Sequence, residues 1–179
     1  MEEKIKIYLI IIFLFLPSVF YGEDTWLNNG KDIVQDSENI KAKDGFGAQL
    51  WLINPGDFFE KWNTPETPKL EVTKRARRNV PISTVILFVN PGVNNKSKCD
   101  IIYNILIKKP DGEVYANFKD VEVWQNKPAP LKNTIQLAAQ NIGIMIENKD
   151  PLGKYTVDVL VKDRVKNVEL PLHQEFIAE

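Results

Sequence analysis

The chain has 179 residues, room for one ordinary domain, with the 44% hydrophobic and 26% charged content of a folded globular protein. Its 23 basic and 24 acidic residues nearly cancel, so the whole protein lacks the concentrated basic face that nucleic-acid binding requires. A single cysteine, Cys99, excludes an intramolecular disulfide; that lone thiol and one histidine, His173, remove most protein-ligated zinc sites and nearly all histidine-dependent catalysis, so no cofactor is expected.

Lys4 and Lys6 precede an uninterrupted apolar run from Ile7 to Leu16, which Pro17 and Ser18 end. A charged start, an apolar centre and a breaker form the order of a secretory signal, and the run is shorter than the ~20 residues a membrane-spanning helix needs. Glu2 and Glu3 offset the lysines, and Gly22 suits the position before a cut, whereas Phe20 is bulky there. Two readings stay open: a signal peptide over residues 1–22 that is removed, or an N-terminal helix retained as an anchor, the one membrane contact expected. Both deliver the remaining chain outside the cytoplasm, to the periplasm or the medium. Residues 23–44 are polar and without sustained period, and read as a flexible lead-in from which Trp26 and Leu27 can dock.

From Gly45 the pattern has period two, that of half-buried strands, and residues 45–179 are expected to form one β-sandwich domain. Phe46, Ala48, Leu50 and Leu52 alternate up to Asn54-Pro55-Gly56. Asp57-Phe58-Phe59-Glu60 has the spacing of a capping box on a short helical turn, with Phe58 and Trp62 four apart on one face. This connection reads either as a plug over one open end of the sandwich or as a recognition loop presenting Phe59 and Trp62. Lys74-Arg75-Ala76-Arg77-Arg78 reads either as a charged edge that blocks strand-to-strand aggregation or as a contact for anionic surfaces. Residues 81–89 are apolar on both faces, as a central strand is, and Asn90-Pro91-Gly92 ends them.

Ile101, Tyr103, Ile105 and Ile107 line one face of the next strand, with Cys99 at its start. Pro110-Asp111-Gly112 is a strong turn, after which Glu113–Ala116 pairs back. Asp120–Trp124 reads as a separate short strand, and Thr134–Glu147 as a strand or bulged strand in which Ile142, Ile144 and Ile146 alternate. Tyr155, Val157, Val159 and Val161 alternate with Thr156, Asp158 and Lys162, and Val168, Leu170, Leu172 and Phe176 complete a final strand. About 7–9 strands with turn signals between them indicate an all-β sandwich.

Asp150-Pro151-Leu152-Gly153-Lys154-Tyr155-Thr156-Val157 resembles the corner leading into a late strand of immunoglobulin-type sandwiches. The resemblance implies an antiparallel immunoglobulin-like domain of the bacterial macroglobulin or adhesin type, in which Asp150, Gly153 and Tyr155 form a structural corner. The chain departs from antibodies in having one more residue between the aspartate and the glycine, and Val157 where they carry cysteine. The fold hosts many unrelated functions.

Scattered carboxylates such as Asp111, Glu113, Asp120, Glu122, Asp150, Asp158 and Asp163 show no calcium-loop spacing. With no catalytic or metal-ligating set, the expectation is an exported, non-enzymatic binding module that contacts another envelope or surface protein through Phe59, Trp62, Lys74, Arg75, Arg77 and Arg78. Its oligomeric state stays open. Two other classes remain in view: a carbohydrate-binding domain stacking sugars on Trp51, Trp62 or Trp124, and a hydrolase or enzyme inhibitor with few motifs.

Overall fold

The computed structural model describes residues 36–65 and 68–179, together with the strands Trp26–Asn28 and Asp32–Val34. The expected signal helix lies outside the described residues. In chain order the elements are β1 (Trp26–Asn28), β2 (Asp32–Val34), β3 (Ile40–Lys43), β4 (Phe46–Ile53), α1 (Phe58–Lys61), β5 (Arg75–Ala76) and β6 (Ile82–Val89). These are followed by β7 (Lys98–Lys108), β8 (Val114–Pro128), β9 (Gln136–Leu137), β10 (Gly143–Ile144), β11 (Gly153–Asp163) and β12 (Val168–Ala178). The protein is all-β. Among the described residues, no helix is long and apolar enough to cross a membrane.

Two sheets face each other over one core. The first has the order β10-β6-β4-β3, with β9 also pairing with β6; the second has the order β5-β12-β11-β7-β8. Period-two alternation drives this packing, because successive side chains point to opposite faces and the apolar set must be covered. Phe46, Ala48, Leu50 and Leu52 of β4 and Ile86 and Phe88 of β6 meet Ile101, Tyr103, Ile105 and Ile107 of β7. Tyr155, Val157, Val159 and Val161 of β11 and Leu170, Leu172 and Phe176 of β12 close the same core. Asp163, 1% exposed, is satisfied by accepting the backbone N–H groups of Gly92 (2.6 Å), Val165 and Lys166 (3.0 Å each).

Several expectations need revision. The sandwich begins before Gly45: β3 pairs along β4 from within the stretch read as a flexible lead-in. The arms expected at Glu113–Ala116 and Asp120–Trp124 are not separate strands but one, β8, which begins at Val114 and whose ladder with β7 shifts register four times. Asp120, at φ 53, sits at one of these shifts and donates its N–H to Asn104 Oδ1 (2.9 Å), so the local break looked like a strand end in sequence. Thr134–Glu147 is mostly irregular, with only β9 and β10 reaching β6 for two residues each. The sandwich is not wholly antiparallel either, because β5 runs parallel to β12.

Candidate functional site

The residues singled out in sequence fall in three places. Phe58 is buried against Ile53, Val85 and Leu87, and half-buried Phe59, Trp62, Trp51, Leu70 and Leu137 surround that cluster. The Phe58 ring lies 5.3 Å from Phe59 and 5.5 Å from Trp62. This connection therefore covers the outer face of the first sheet rather than an open end of the sandwich. There is no capping box, since the Asp57 side chain makes no cap hydrogen bond and instead pairs with Lys61 at 3.0 Å.

The basic run lies on the other sheet, where β5 extends the edge of β12. Its four charges do different things. Arg75 pairs with Glu179, and Arg78 donates to the carbonyls of Glu147 (2.6 Å) and Asp150 (2.9 Å). Lys74 and Arg77 are exposed. Trp62 and residues 74–78 thus belong to different sheets and do not form one interface. The three tryptophans considered as sugar platforms are half-buried and divided between two places. Trp51, its Nε1 donating to Gln49 (2.8 Å), joins Trp62 on the first sheet; Trp124 packs on Phe88 at a ring distance of 5.7 Å.

The third place is the corner. Tyr155 is fully buried, donates its hydroxyl proton to Pro151 O (2.9 Å) and stacks on Phe176 at 5.1 Å. Asp150 Oδ2 accepts from the Tyr115 hydroxyl (3.2 Å) and from the Glu147 N–H (2.8 Å). Burial, aided by the Asp150 charge, pushes Tyr115 up to about 12, which keeps its phenol a donor. Gly153, at φ 128, occupies backbone space that L-residues rarely enter, and a Cβ there would meet Pro110 at 3.1 Å. Asp150, Gly153 and Tyr155 thus act on the architecture.

One concave surface was not singled out in sequence. It is an open groove of about 510 Å³ on the outer face of the second sheet, and the pairing register explains its floor. One row across the sheet runs His173, Asp158, Leu106, Asn117; the next runs Pro171, Leu160, Asn104. Leu106, Leu160 and Pro171 therefore adjoin as an apolar centre, while Lys119, Asn117, Lys41 and Glu38 form the rim. The flanking outward positions are charged: Lys162 pairs with Glu169 (3.1 Å), and Lys154 with Glu175 (3.0 Å).

His173 forms one wall. Its Nδ1 lies 2.7 Å from Asp158 Oδ1 and its Nε2 lies 3.6 Å from Glu175 Oε1. Burial pulls the imidazole's pKa down, but the hydrogen bonds and charges of Asp158 and Glu175 outweigh it, leaving His173 above the ordinary histidine value. Both ring nitrogens face carboxylates, so neither is aimed at a hydroxyl or thiol. Cys99 is buried on the opposite, inward side, where burial raises its pKa and further weakens it as a nucleophile. Among the described residues, no group of three or more histidine, cysteine or carboxylate side chains could hold a metal ion. The arrangement is suited to receiving an apolar group within a polar frame.

The signal for this groove was present as a defect in alternation. In β11 the outward positions read Thr156, Asp158, Leu160, Lys162, and in β7 Asn104, Leu106, Lys108, so each strand places one leucine where its neighbours are polar. Only the register sets the two leucines and Pro171 side by side.

The free sheet edges are guarded. Pro171 has no N–H to offer on β12, His173 N donates to Glu38 O (2.7 Å), and β5 occupies the end of that edge. On β8, Val123 O and Glu122 O accept from Ala139 and Gln140, and the register shifts interrupt the rest.

No family model matches the chain, and no curated protein matches it. Solved structures match at low identity. A family 123 glycoside hydrolase from Clostridium perfringens shares 13% identity at a TM-score of 0.45, over 75% of this chain and 27% of that one. The C-terminal domain of wzt shares 11% at 0.43, over 74% of this chain and 73% of that one. A Niemann-Pick type C2 protein from the Japanese carpenter ant shares 12% at 0.37, over 59% and 79%. The chain thus spans little more than a quarter of the hydrolase, and none of these likenesses is close enough to assign it a family.

Proposed function

We propose that the chain is an exported, non-enzymatic binding module of immunoglobulin-like architecture, and that the groove on the outer face of its second sheet receives an apolar segment of another envelope or surface protein. The observation that carries this reading is the adjacency of Leu106, Leu160 and Pro171 in a concave floor framed by polar and charged side chains. Exposed apolar surface concentrated in a groove has a free-energy cost in water that a partner removes, whereas scattered exposed leucines need no explanation. Among the described residues, the floor carries no phenylalanine, tyrosine or tryptophan ring on which a sugar could stack, which favours a peptide or protein ligand over a carbohydrate. The corner built on Tyr155 supports the immunoglobulin-like assignment, and the apolar run Ile7–Leu16 behind Lys4 and Lys6 supports export by a signal peptide or an N-terminal anchor.

The test uses the mature chain and its Leu160→Asp variant side by side as baits for cross-linking in envelope extract, with cell fractionation in parallel. A protein cross-linked to the mature chain and absent from the variant supports the reading. Equal capture by both, or recovery of the intact chain in the cytosol, overturns it.

A further inference from the structure

At the end of the sandwich away from the Tyr155 corner, two loops form one tip. Loops 90–97 and 129–135 leave the second sheet side by side, because Lys98 at the start of β7 is paired with Pro128 at the end of β8. Further out they are clasped. Asn90 Nδ2 donates to Asn133 Oδ1 (2.9 Å), and the Asn133 N–H donates to Asn90 Oδ1 (2.7 Å). The Thr134 N–H closes the turn on Leu131 O (3.1 Å). On this braced tip Leu131 is 80% exposed, Val93 50% and Ile135 45%. Val93 is three residues from the clasp and Leu131 two, so each lies at most ~11 Å from it.

The charges around these side chains are of one kind. Lys96 and Lys132 are exposed on the two loops and Lys98 stands at their root; among the described residues none of the three has an ion pair or a side-chain hydrogen bond. Lys109, Lys149, Lys154 and Lys162, by contrast, each pair with a glutamate at 2.7–3.1 Å. Nearby carboxylates are already engaged: Asp100 by Arg164 (2.6 Å), Glu122 by Lys127 (2.8 Å), and buried Asp163 by backbone N–H groups. Asp36 and Asp44 flank β3, three strand positions across the first sheet from β9, or about 14 Å.

We propose that this tip docks on an anionic lipid surface, with Leu131 entering the headgroup boundary, Val93 and Ile135 beside it, and Lys96, Lys98 and Lys132 meeting lipid phosphates. Apolar side chains set among lysines bind such a surface by two additive terms, burial in the acyl boundary and attraction to anionic headgroups. A nucleic acid would satisfy the lysines and leave the aliphatic side chains in water. A protein would need a hollow matched to Leu131, whereas a headgroup layer yields to any projecting shape. This contact is separate from residues 1–22 and does not rest on the groove.

The experiment uses the full chain and a label that reports its own position. Cys99 is buried, so a thiol introduced by Leu131→Cys is the one that takes a polarity-sensitive fluorophore. Leu152→Cys, 51% exposed at the opposite end, is the control. With vesicles of equal parts phosphatidylglycerol and phosphatidylcholine, the label at 131 should shift to the blue and brighten several-fold, while the label at 152 stays unchanged. No response at 131, or an equal response at both sites, overturns the proposal. So does an equal response on pure phosphatidylcholine. Adding Lys96→Gln and Lys132→Gln to the 131-labelled chain should weaken its apparent affinity for the anionic vesicles about ten-fold. An unchanged affinity would show that the lysines do not face lipid, and would refute the docking. Leu160→Asp, which tests the groove, should leave the response at 131 intact; its loss would place the vesicle contact on the sheet face and overturn the tip.

Discussion

The outer faces of the two sheets solve the same problem in opposite ways. On the first sheet, Ile53, Val85 and Leu87 point away from the main core, yet all are buried because the turn carrying Phe58, Phe59 and Trp62 folds over them. On the second sheet, Leu106, Leu160 and Pro171 also point away from the core, and within the sandwich they form the floor of an open groove. Apolar residues on an outward face therefore do not by themselves distinguish structure from function. What distinguishes them is whether the chain spends a segment covering them.

This contrast can be broken by measurement, and the largest effect belongs to the covered face. Phe58→Ala should lower unfolding free energy by about 3–5 kcal/mol, because it removes a 2% exposed ring and leaves a cavity over Val85 and Leu87. Urea denaturation reads this directly, and a loss below 1 kcal/mol would mean that the cap is not part of the fold. Next comes the rim shared by both sheets. Tyr155→Phe keeps the buried ring and deletes the bond to Pro151 O, for an expected loss of about 0.5–1.5 kcal/mol.

On the open face the stability effects should be smaller. Leu160→Ser should cost under about 1 kcal/mol of global unfolding, since the side chain is only half-buried in the sandwich, while removing the capture proposed above. A cost equal to that of Phe58→Ala would show that the two faces are not different in kind.

The smallest effect is pH-dependent. His173 has a folded pKa above its unfolded value, so the native state holds its proton more tightly. The resulting stabilisation is fully present below about pH 6.5 and disappears as pH rises through the folded value. The stability difference between the wild type and His173→Gln should therefore grow in favour of the wild type as pH falls from about 8.5 to about 6. A difference independent of pH would show that Asp158 and Glu175 do not hold the imidazolium.

The long strands were legible because their patterns are local: β4, β7, β11 and β12 fall where period two places them, and β6 falls on the unbroken apolar run that ends at Asn90-Pro91-Gly92. The failures have specific causes. Asp120 interrupts the pattern at a register shift, which in one dimension looks like a loop between two strands. Asp57 and Glu60 have capping-box spacing, but Asp57 finds Lys61 instead, an alternative partner that spacing does not reveal. The basic run looked uniform, yet Arg78 holds the carbonyls of the corner while Arg77 faces water, a division made by a segment some seventy residues away.

The sequence alone determined that the chain is all-β, that its core is built from alternating strands, and that Tyr155 stands at a corner, because these follow from periodicity and turn chemistry within a few residues. Only the tertiary structure decided which outward apolar residues are covered and which are left in a groove. That choice depends on cross-strand register, which sets Leu106, Leu160 and Pro171 together from three separate strands, and on where α1 comes to rest. Neither is encoded in the period of any single segment.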